Sequence, residues 1–551
     1  MDMIPENAVS NSDVLRVGDL VLDHPVRSFD RSLGMPDPLS EAERVLFADL
    51  QKQLVDQVRD VFPDPRAPRT VVVVPSLSIS PDLLEKVAGV EFYEERMLFT
   101  LMLLRLPATR LIMVTSQPLA PSIIDYYLNL LPGVPVSHAK SRLTLLSCFD
   151  GSPRPLSLKI LERPRLVRRI RDSIGDAQAA HLTVFNATSL ERTLAVRLGI
   201  PLYACDPSAC RAGTKSGGRE VFRLAGVPHP PGFENLHGGP DIVDALVELK
   251  SAHPGLRRAA IKLDEGVSGE GNAVFDFPAL PKRTNVRQDF SSRVPEEIRF
   301  EAAGEDWQHF TSEMTRMGGV VEAWIDGPNK VSPSMQGRID PLGRTAVVST
   351  HDQVLGGPAG QVFLGCTFPA RADYRLDIQR AGSRVGEVLQ QQGVLGRYGV
   401  DFVSVQTPHG WRHYALEINV RKGGTTHPFL MLQFLTDGRY EADTGIYRAP
   451  SGAQLAYYAS DNVVNPLYRG FTPADLIDIA VNHGLHFHSA TQEGVVFHLI
   501  GALSEYGKLG VLCIADSTTS AYALYEETVS VLDSEAQAQE AARAACRVFL
   551  S

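Results

Sequence analysis

Cysteine is scarce. The 551 residues hold six, Cys148, Cys205, Cys210, Cys366, Cys513 and Cys546, and no two stand in a CxxC pair. A disulfide framework or a thiolate zinc site needs paired spacings, so both are excluded and reduced thiols are expected. Long apolar runs are lacking as well. The most apolar stretch, Met97–Leu104, ends at Arg105 and Pro107. A bilayer-spanning helix needs about 20 apolar residues, so no membrane partner is expected. The polar, acidic start does not resemble a secretory leader, and a cytoplasmic location is expected. Positive charge is in deficit: 54 Lys and Arg face 64 Asp and Glu, a net charge of -10. Sequence-independent nucleic-acid binding needs a dense basic surface, so no nucleic-acid partner is expected. The one basic cluster, Lys159–Arg171 (KILERPRLVRRIR), interleaves arginines with apolar residues and reads as the solvated face of an amphipathic helix. Internal repeats and low-complexity tracts are missing.

What is present is an ordinary globular composition, long enough for three or four domains at roughly 100–200 residues each. Residues 1–68 read as an N-terminal extension with an amphipathic helix near Glu41–Phe62. In 69–210, strands at Thr70–Pro75, Arg110–Ser116 and Leu182–Asn186 alternate with helices at Glu94–Leu104 and from Thr188 or Ser189, and Pro201–Ala204 follows. That alternation predicts a parallel α/β layer. In 211–318, a helix over Gly218–Ala225 precedes a strand, a glycine loop and a strand over Leu256–Phe277. Charged, proline-bearing residues 278–305 are expected to form a mobile excursion. In 319–450, strands at Gly319–Ile325, Val331–Arg338 and Thr345–Thr350 lead to a helix at Arg375–Gln392. A strand pair, Val400–Val405 with His413–Val420, then turns at QTPHGW. From 451 to 551 a further α/β segment is expected: helices at 473–483 and 495–506, and strands at His486–His488 and 509–514. The fold class is therefore α/β, α+β in part.

The chemistry concentrates in four segments. In ALEINVRKGG, Glu417, Asn419 and Arg421 alternate with Leu416, Ile418 and Val420. On a strand the first three share one face and the apolar three share the other. A carboxylate and an amide oxygen two residues apart suit magnesium, and an arginine beside them suits phosphate. Asp401, on the partner strand, is placed to complete the set. In AAIKLDEGVSGEGNAVFDF, Lys262 ends an apolar strand and Gly266, Ser268, Gly269 and Gly271 follow. Such a loop lets backbone amides approach phosphate. A strand follows it, so it is neither a P-loop nor a dinucleotide fingerprint. Lys215 stands in GTKSGGREVFRLAGVPHPPG. VVEAWIDGPNK runs from a strand through Glu322 and Trp324 into a Gly-Pro turn, a hinge of the kind that can offer backbone amide groups to an adenine, with Glu322 accepting from its amine. Blander readings compete throughout: a polar edge strand, a surface hairpin, a core tryptophan, a buried small Cys366. His483, His486 and His488 lack an acidic or thiol partner nearby in sequence and read as no metal site.

In this order and spacing the four segments resemble the ATP-grasp superfamily. The resemblance implies an ATP-grasp fold with a glycine-rich flap between two β-layers, behind a preceding α/β domain. It implies ATP contacts from Lys215, Lys262, Gly266, Ser268, Gly269, Glu322, Ala323, Trp324, Ile325 and Asn329, the last in the ribose-facing place. It implies two magnesium ions on Asp401, Glu417 and Asn419. SPSMQ (332–336), STHDQVLGG (349–357), GQVFLGCTFPA (360–370), FYEERMLFTLMLLR (92–105) and GVVFHLIGALSEYGKLG (494–510) look like the pheganomycin-type peptide ligases. That likeness implies joining a small-molecule carboxylate to an amine through an acyl phosphate, with release of ADP, in secondary metabolism. Arg421, Lys262 and Arg338 are the expected catalytic cations. Ser332, Ser334, Gln336, Thr426 and His498 are the expected substrate contacts. Met335 stands where a smaller apolar residue is expected, which bears on local substrate fit. A homodimer is one expected assembly. The competing functions are a carboxylate–thiol ligase and a non-catalytic nucleotide-binding scaffold.

Overall fold

The β-branched run at Thr70–Val74 is buried on both faces, as a central parallel strand must be. In the computed structural model, residues 28–30, 35–37, 40–266, 271–277, 286–302, 304–356, 360 and 362–550 are described. Strand β1 (Arg69–Val74) sits between β2 (Thr109–Thr115) and β4 (Ala180–Val184), with β3 (Leu143–Ser147) outside β2, all parallel. One face of this sheet, carrying Val72, Val74, Ile112 and Val114, packs on helices α1 (Glu41–Asp56), α3 (Leu156–Leu161), α4 (Pro164–Ile174) and α5 (Ser189–Leu198). Thr188 and Glu191 close a capping box on α5. The other face, with Val71, Val73, Leu111 and Met113, packs on the 3-10 helix Val90–Arg105 and on α2 (Pro121–Asn129). The basic cluster splits at Pro164. Its arginines line the outer face of α4, but Lys159 is buried, its Nζ donating to Ser116 Oγ at 2.9 Å and to the Asp150 carbonyl at 2.8 Å. Pro201–Ala204 forms only an isolated bridge, Leu202 with Leu182.

A second, antiparallel sheet follows α6 (Lys215–Leu224). Its strands are β5 (Gly232–Phe233), β6 (Arg258–Leu263), β7 (Asn272–Asp276), β8 (Arg299–Phe300) and β9 (Gly319–Ala323), in the order β8-β7-β6-β9-β5. Helices α7 (Gly239–Ala252), α8 (Val286–Glu297) and α9 (Trp307–Met317) cover it. Residues 286–297, expected within a mobile excursion, are therefore a helix whose Phe290 and Val294 are fully buried; residues 278–285 lie outside the described set.

The third sheet has ten strands: β10 (Pro333–Ile339), β11 (Thr345–Gly356), β12 (Val362–Phe368), β13 (Gly396–Thr407), β14 (Gly410–Asn419), β15 (Arg439–Glu441), β16 (Ile446–Arg448), β17 (Gln454–Val464), β18 (Gly494–His498) and β19 (Lys508–Ala515). The path is β14-β13-β10-β11-β12-β17-β16-β15, and β19 joins β17 to β18. Strands beyond Ser451 thus extend this sheet. The helix expected over 495–506 is instead β18 followed by two short helical turns, Ile500–Ala502 and Leu503–Tyr506. Helix α10 (Arg375–Gln391) packs on β10 and β11, and α11 (Thr426–Thr436) on the 3-10 helix. The packing leaves little slack: a Cβ on Gly386 of α10 would lie 2.0 Å from the buried Tyr398 hydroxyl. Gly386→Ala is expected to cost about 1–3 kcal/mol, read as a lowered midpoint in thermal denaturation; an unchanged midpoint would refute this packing. Among the described residues no helix is long and apolar enough to cross a membrane.

Candidate active site

The three sheets meet around a cavity of about 470 Å³. Lys215, at the first turn of α6, and Lys262, near the end of β6, line it from the second-sheet side. Asp401 on β13 with Glu417 and Asn419 on β14 line it from the third sheet, and Arg421 follows just beyond β14. The register pairs Asp401 directly with Glu417, so both side chains share one face.

The alternation along β14 is imperfect. A register shift between Asp401 and Phe402 leaves Leu416 as an extra residue, so Ala415 and Ile418 are the buried pair. Leu416 therefore does not face the core as expected but lines the cavity beside Glu417. Bulges re-aim side chains in this way.

The carboxylates are held by specific partners. Lys215 Nζ lies 2.7 Å from Glu417 Oε1. Asn419 Nδ2 donates to Asp401 Oδ2 at 2.9 Å, and Gln353 Nε2 to Oδ1 at 2.7 Å. Burial, then the adjacent Glu417, pushes Asp401 up to about 7. Burial would raise Glu417 too, but Lys215 and Arg421 outweigh it and hold its carboxyl below the usual range. Burial lowers the Arg421 guanidinium. Two close carboxylates and an amide oxygen, with one carboxyl driven toward its neutral form, are a donor set that added positive charge would relieve. Its all-oxygen chemistry fits magnesium. Among the described residues no group of three or more His, Cys, Asp or Glu converges, and His483 pairs with Glu535 at 2.9 Å.

Glu322 on β9 is also buried. Lys262 Nζ lies 2.5 Å from its Oε1, and Arg219 lies 3.3 Å from its Oε2 while pairing with Glu234 at 3.0 Å. Glu322 thus fixes the Lys262 ammonium from below. Ala323 is buried; Trp324 lies between the cations of Arg258 and Lys330, at 4.9 and 4.5 Å from its ring; Ile325 is half-buried. Asn329, at φ 46°, donates to Gln406 across the hinge at 2.5 Å. Gly266 lines the cavity, and Ser268 and Gly269 lie outside the described residues.

The remaining expected contacts divide. Ser332 and Gln336 line the cavity. Ser334 shares their side of β10, paired in register with Asp401, but is fully buried. Arg338 lies beyond the shift at Gln336/Gly337, exposed, opposite Arg397 and near Tyr203, and is not brought to the cavity. Met335 points away into the core against Gly382, so its size bears on packing. Thr426 accepts from the Gly423 amide at 3.0 Å, while Thr425 lines the cavity. His498 is fully buried on a strand and touches the cavity only through Asp461, its Nε2 2.7 Å from Asp461 Oδ1. Arg96 and Gln353 were not singled out from sequence. The signal for Arg96 is a cation inside the apolar run FYEERMLFTLMLLR.

Residues 209–306 and 300–443 match the family described as IQCH-like, ATP-grasp, and residues 475–528 match the PGM1 C-terminal domain. The L-propargylglycine–L-glutamate ligase of Streptantibioticus cattleyicolor is 32% identical over 460 residues, covering 82% of this chain and 92% of that protein. IQ motif-containing protein H of Danio rerio is 24% identical over 522 residues, 86% of this chain but 49% of that protein, so this chain spans about half of it. Among solved structures, biotin carboxylase of Campylobacter jejuni aligns over 85% of this chain and 95% of that one, at 14% identity and a TM-score of 0.49.

Proposed function

The chain belongs to the ATP-grasp ligases, in the same family as that L-propargylglycine–L-glutamate ligase, and on this premise we propose the chemistry of its cavity. It is an ATP-dependent carboxylate–amine ligase. Its substrates are small amino-acid-like molecules, its intermediate is an acyl phosphate, and its product belongs to a peptide natural product. The observation that carries this reading is the meeting of Lys215, Lys262 and Arg421 with Asp401, Glu417 and Asn419 around one cavity. Asp401, Glu417 and Asn419 would hold two magnesium ions, which neutralise charge on the phosphates when bound.

Each side chain then has a definite task. Lys262, anchored on Glu322, and Lys215, anchored on Glu417, hold phosphate oxygens as point charges. Arg421 steadies the transferring phosphoryl group and later the tetrahedral oxyanion. The substrate carboxylate oxygen bonds to the γ-phosphorus as the bond to the β-bridging oxygen breaks, and ADP leaves. The amine nitrogen then bonds to the acyl carbon, phosphate leaves, and the nitrogen gives up a proton. Positioning of the two substrates supplies much of the acceleration. Ser332, just before β10, and Gln336 on it offer polar contacts to the substrates.

Spent nucleotide reports on the reading directly. Incubated with ATP, magnesium and pairs of L-amino acids that include L-propargylglycine and L-glutamate, the protein is expected to form ADP only when both partners are present. Chromatography separates the nucleotides. Stoichiometric AMP with pyrophosphate would overturn the phosphoryl-transfer route, and ADP formed equally well with a thiol partner would favour carboxylate–thiol ligation.

A further inference from the structure

One wall of the cavity carries an ion pair that the phosphate chemistry does not use. On β17 the register runs Ser460 to Val511 and then Val463 to Leu509, so Asp461 and Asn462 together oppose Gly510 alone. Both bulged residues line the cavity. His498, on β18, is paired with Gly510 and reaches over it to Asp461. A Cβ at position 510 would stand 2.1 Å from His498 Nε2, so only glycine leaves the imidazole room. Arg96, from the 3-10 helix, lies 3.4 Å from the other Asp461 oxygen. Its guanidinium rests 4.5 Å from the Tyr93 ring and 4.9 Å from the Phe185 ring. The His427 ring lies 4.4 Å from that of His498, tilted by 40°, and its Nδ1 bonds the Arg96 carbonyl at 3.1 Å. Strand bulge, glycine gap, two imidazoles and two aromatic rings all fix this one pair at the cavity surface.

A largely buried ion pair adds little stability over an apolar pair of the same volume. Its distinctive property is a positive and a negative group side by side, facing a cavity. We propose that Arg96 and Asp461 form a clamp for a free α-amino acid in its zwitterionic form, Arg96 taking the α-carboxylate and Asp461 the α-ammonium. The proposal rests on the ligase reading and adds the site at which one substrate is recognised. Asp461 is a binding group, not a base: His498 and Arg96 outweigh burial and hold its carboxyl well below the usual range. His498 and Gly510 are positioning residues, acting through Asp461.

The test uses the full-length enzyme and the amino-acid pair that supports ADP formation. Asp461→Asn is expected to raise the KM of one amino acid on the order of 10–100-fold, leaving the KM of the other and of ATP within about twofold. Gly510→Ala should reproduce the same selective rise in weaker form. For wild-type enzyme, the α-methyl ester and the deamino analogue of the clamped amino acid should each lose at least about tenfold in kcat/KM. Calorimetric binding of ADP with magnesium, measured on every variant, monitors the nucleotide site. A folded Asp461→Asn enzyme with unchanged amino-acid KM, or a wild type that accepts ester and acid alike, overturns the clamp and leaves the ligase standing. ADP formation with carboxylates and amines but never with a free amino acid also overturns it. No ADP with any partner would overturn both readings. Should Asp461→Asn fail to fold, the ester and deamino comparisons decide alone.

Discussion

Glu417→Gln is expected to lower turnover at least about 10–100-fold, and further if a second ion is lost with the first, while the protein stays folded. The side chain sits on the cavity face of β14, away from buried Ala415 and Ile418, so the carboxamide opens no void. What disappears is charge. Asp401 is freed of the neighbour that helped push its carboxyl up, so it ionises at lower pH than in the parent. Lys215 loses its partner at 2.7 Å. Asn419→Ala removes the proposed neutral ligand and the 2.9 Å bond to Asp401, and water replaces a neutral ligand more readily than a charge. Excess magnesium should therefore restore part of the activity of Asn419→Ala and less of Glu417→Gln. Steady-state kinetics over a magnesium series, with circular dichroism to confirm folding, checks both. Near-normal kcat in a folded Glu417→Gln enzyme would refute the metal assignment.

Lys215→Met should cost both nucleotide affinity and stability. The KM for ATP is expected to rise on the order of 100-fold, since one point charge on phosphate is lost inside a partly desolvated site. Stability should fall by about 1–3 kcal/mol, less than for a fully buried pair, because the Glu417 side chain keeps 28% exposure while Lys215 has 6%. The sign with pH follows from Glu417. In the parent its carboxyl is held low, so its contribution to stability is present above the usual carboxylate range and is lost as pH falls through its depressed value. Without Lys215, burial dominates and raises it, so its contribution is present at acid pH and is lost as pH rises. The deficit in melting temperature relative to the parent should thus be largest near neutrality and shrink toward pH 5. A deficit that grows on acidification would refute the role of this pair.

The local chemistry was legible where one period governed. Glu417 and Asn419 share a face because a strand repeats every two residues, Arg421 lines the same cavity from just beyond the strand's end, and the glycine loop behind Lys262 is bounded by two apolar runs. Reading failed where a single inserted residue broke the period. The residue inserted beside Glu417 turns Leu416, an expected core residue, into a cavity wall, whereas Arg338 keeps the alternation and the β13 register of Ser334 and Gln336 but lies beyond the end of the cavity. Val495–Tyr506 is a near-continuous apolar run, which periodicity cannot divide between strand and helix. That ambiguity put His498 on a helix and hid its place behind Asp461. Local pattern gave strands β10 and β11 and the hairpin β13–β14 of the third sheet but not its closure, since β12 finds β17 some ninety residues on, with Gly365 against Ser460. Arg96 and Asp461 are likewise 365 positions apart.

The first parallel sheet and the last strands share one apolar core. Val71, Val73, Leu111 and Met113 pack in the same cluster as Val495, Val511, Leu512 and Ile514. During synthesis on the ribosome, therefore, the 3-10 helix and α2 that cover one face of the earliest sheet wait without their outer apolar neighbours while the next four hundred or so residues are made. Translation proceeds at about 5–20 residues per second, so the outer side of that helical layer stays sticky for on the order of half a minute. A nascent chain of this kind has reason to recruit a holding chaperone until β19 emerges, and slowing translation late in the message would lengthen the dependence.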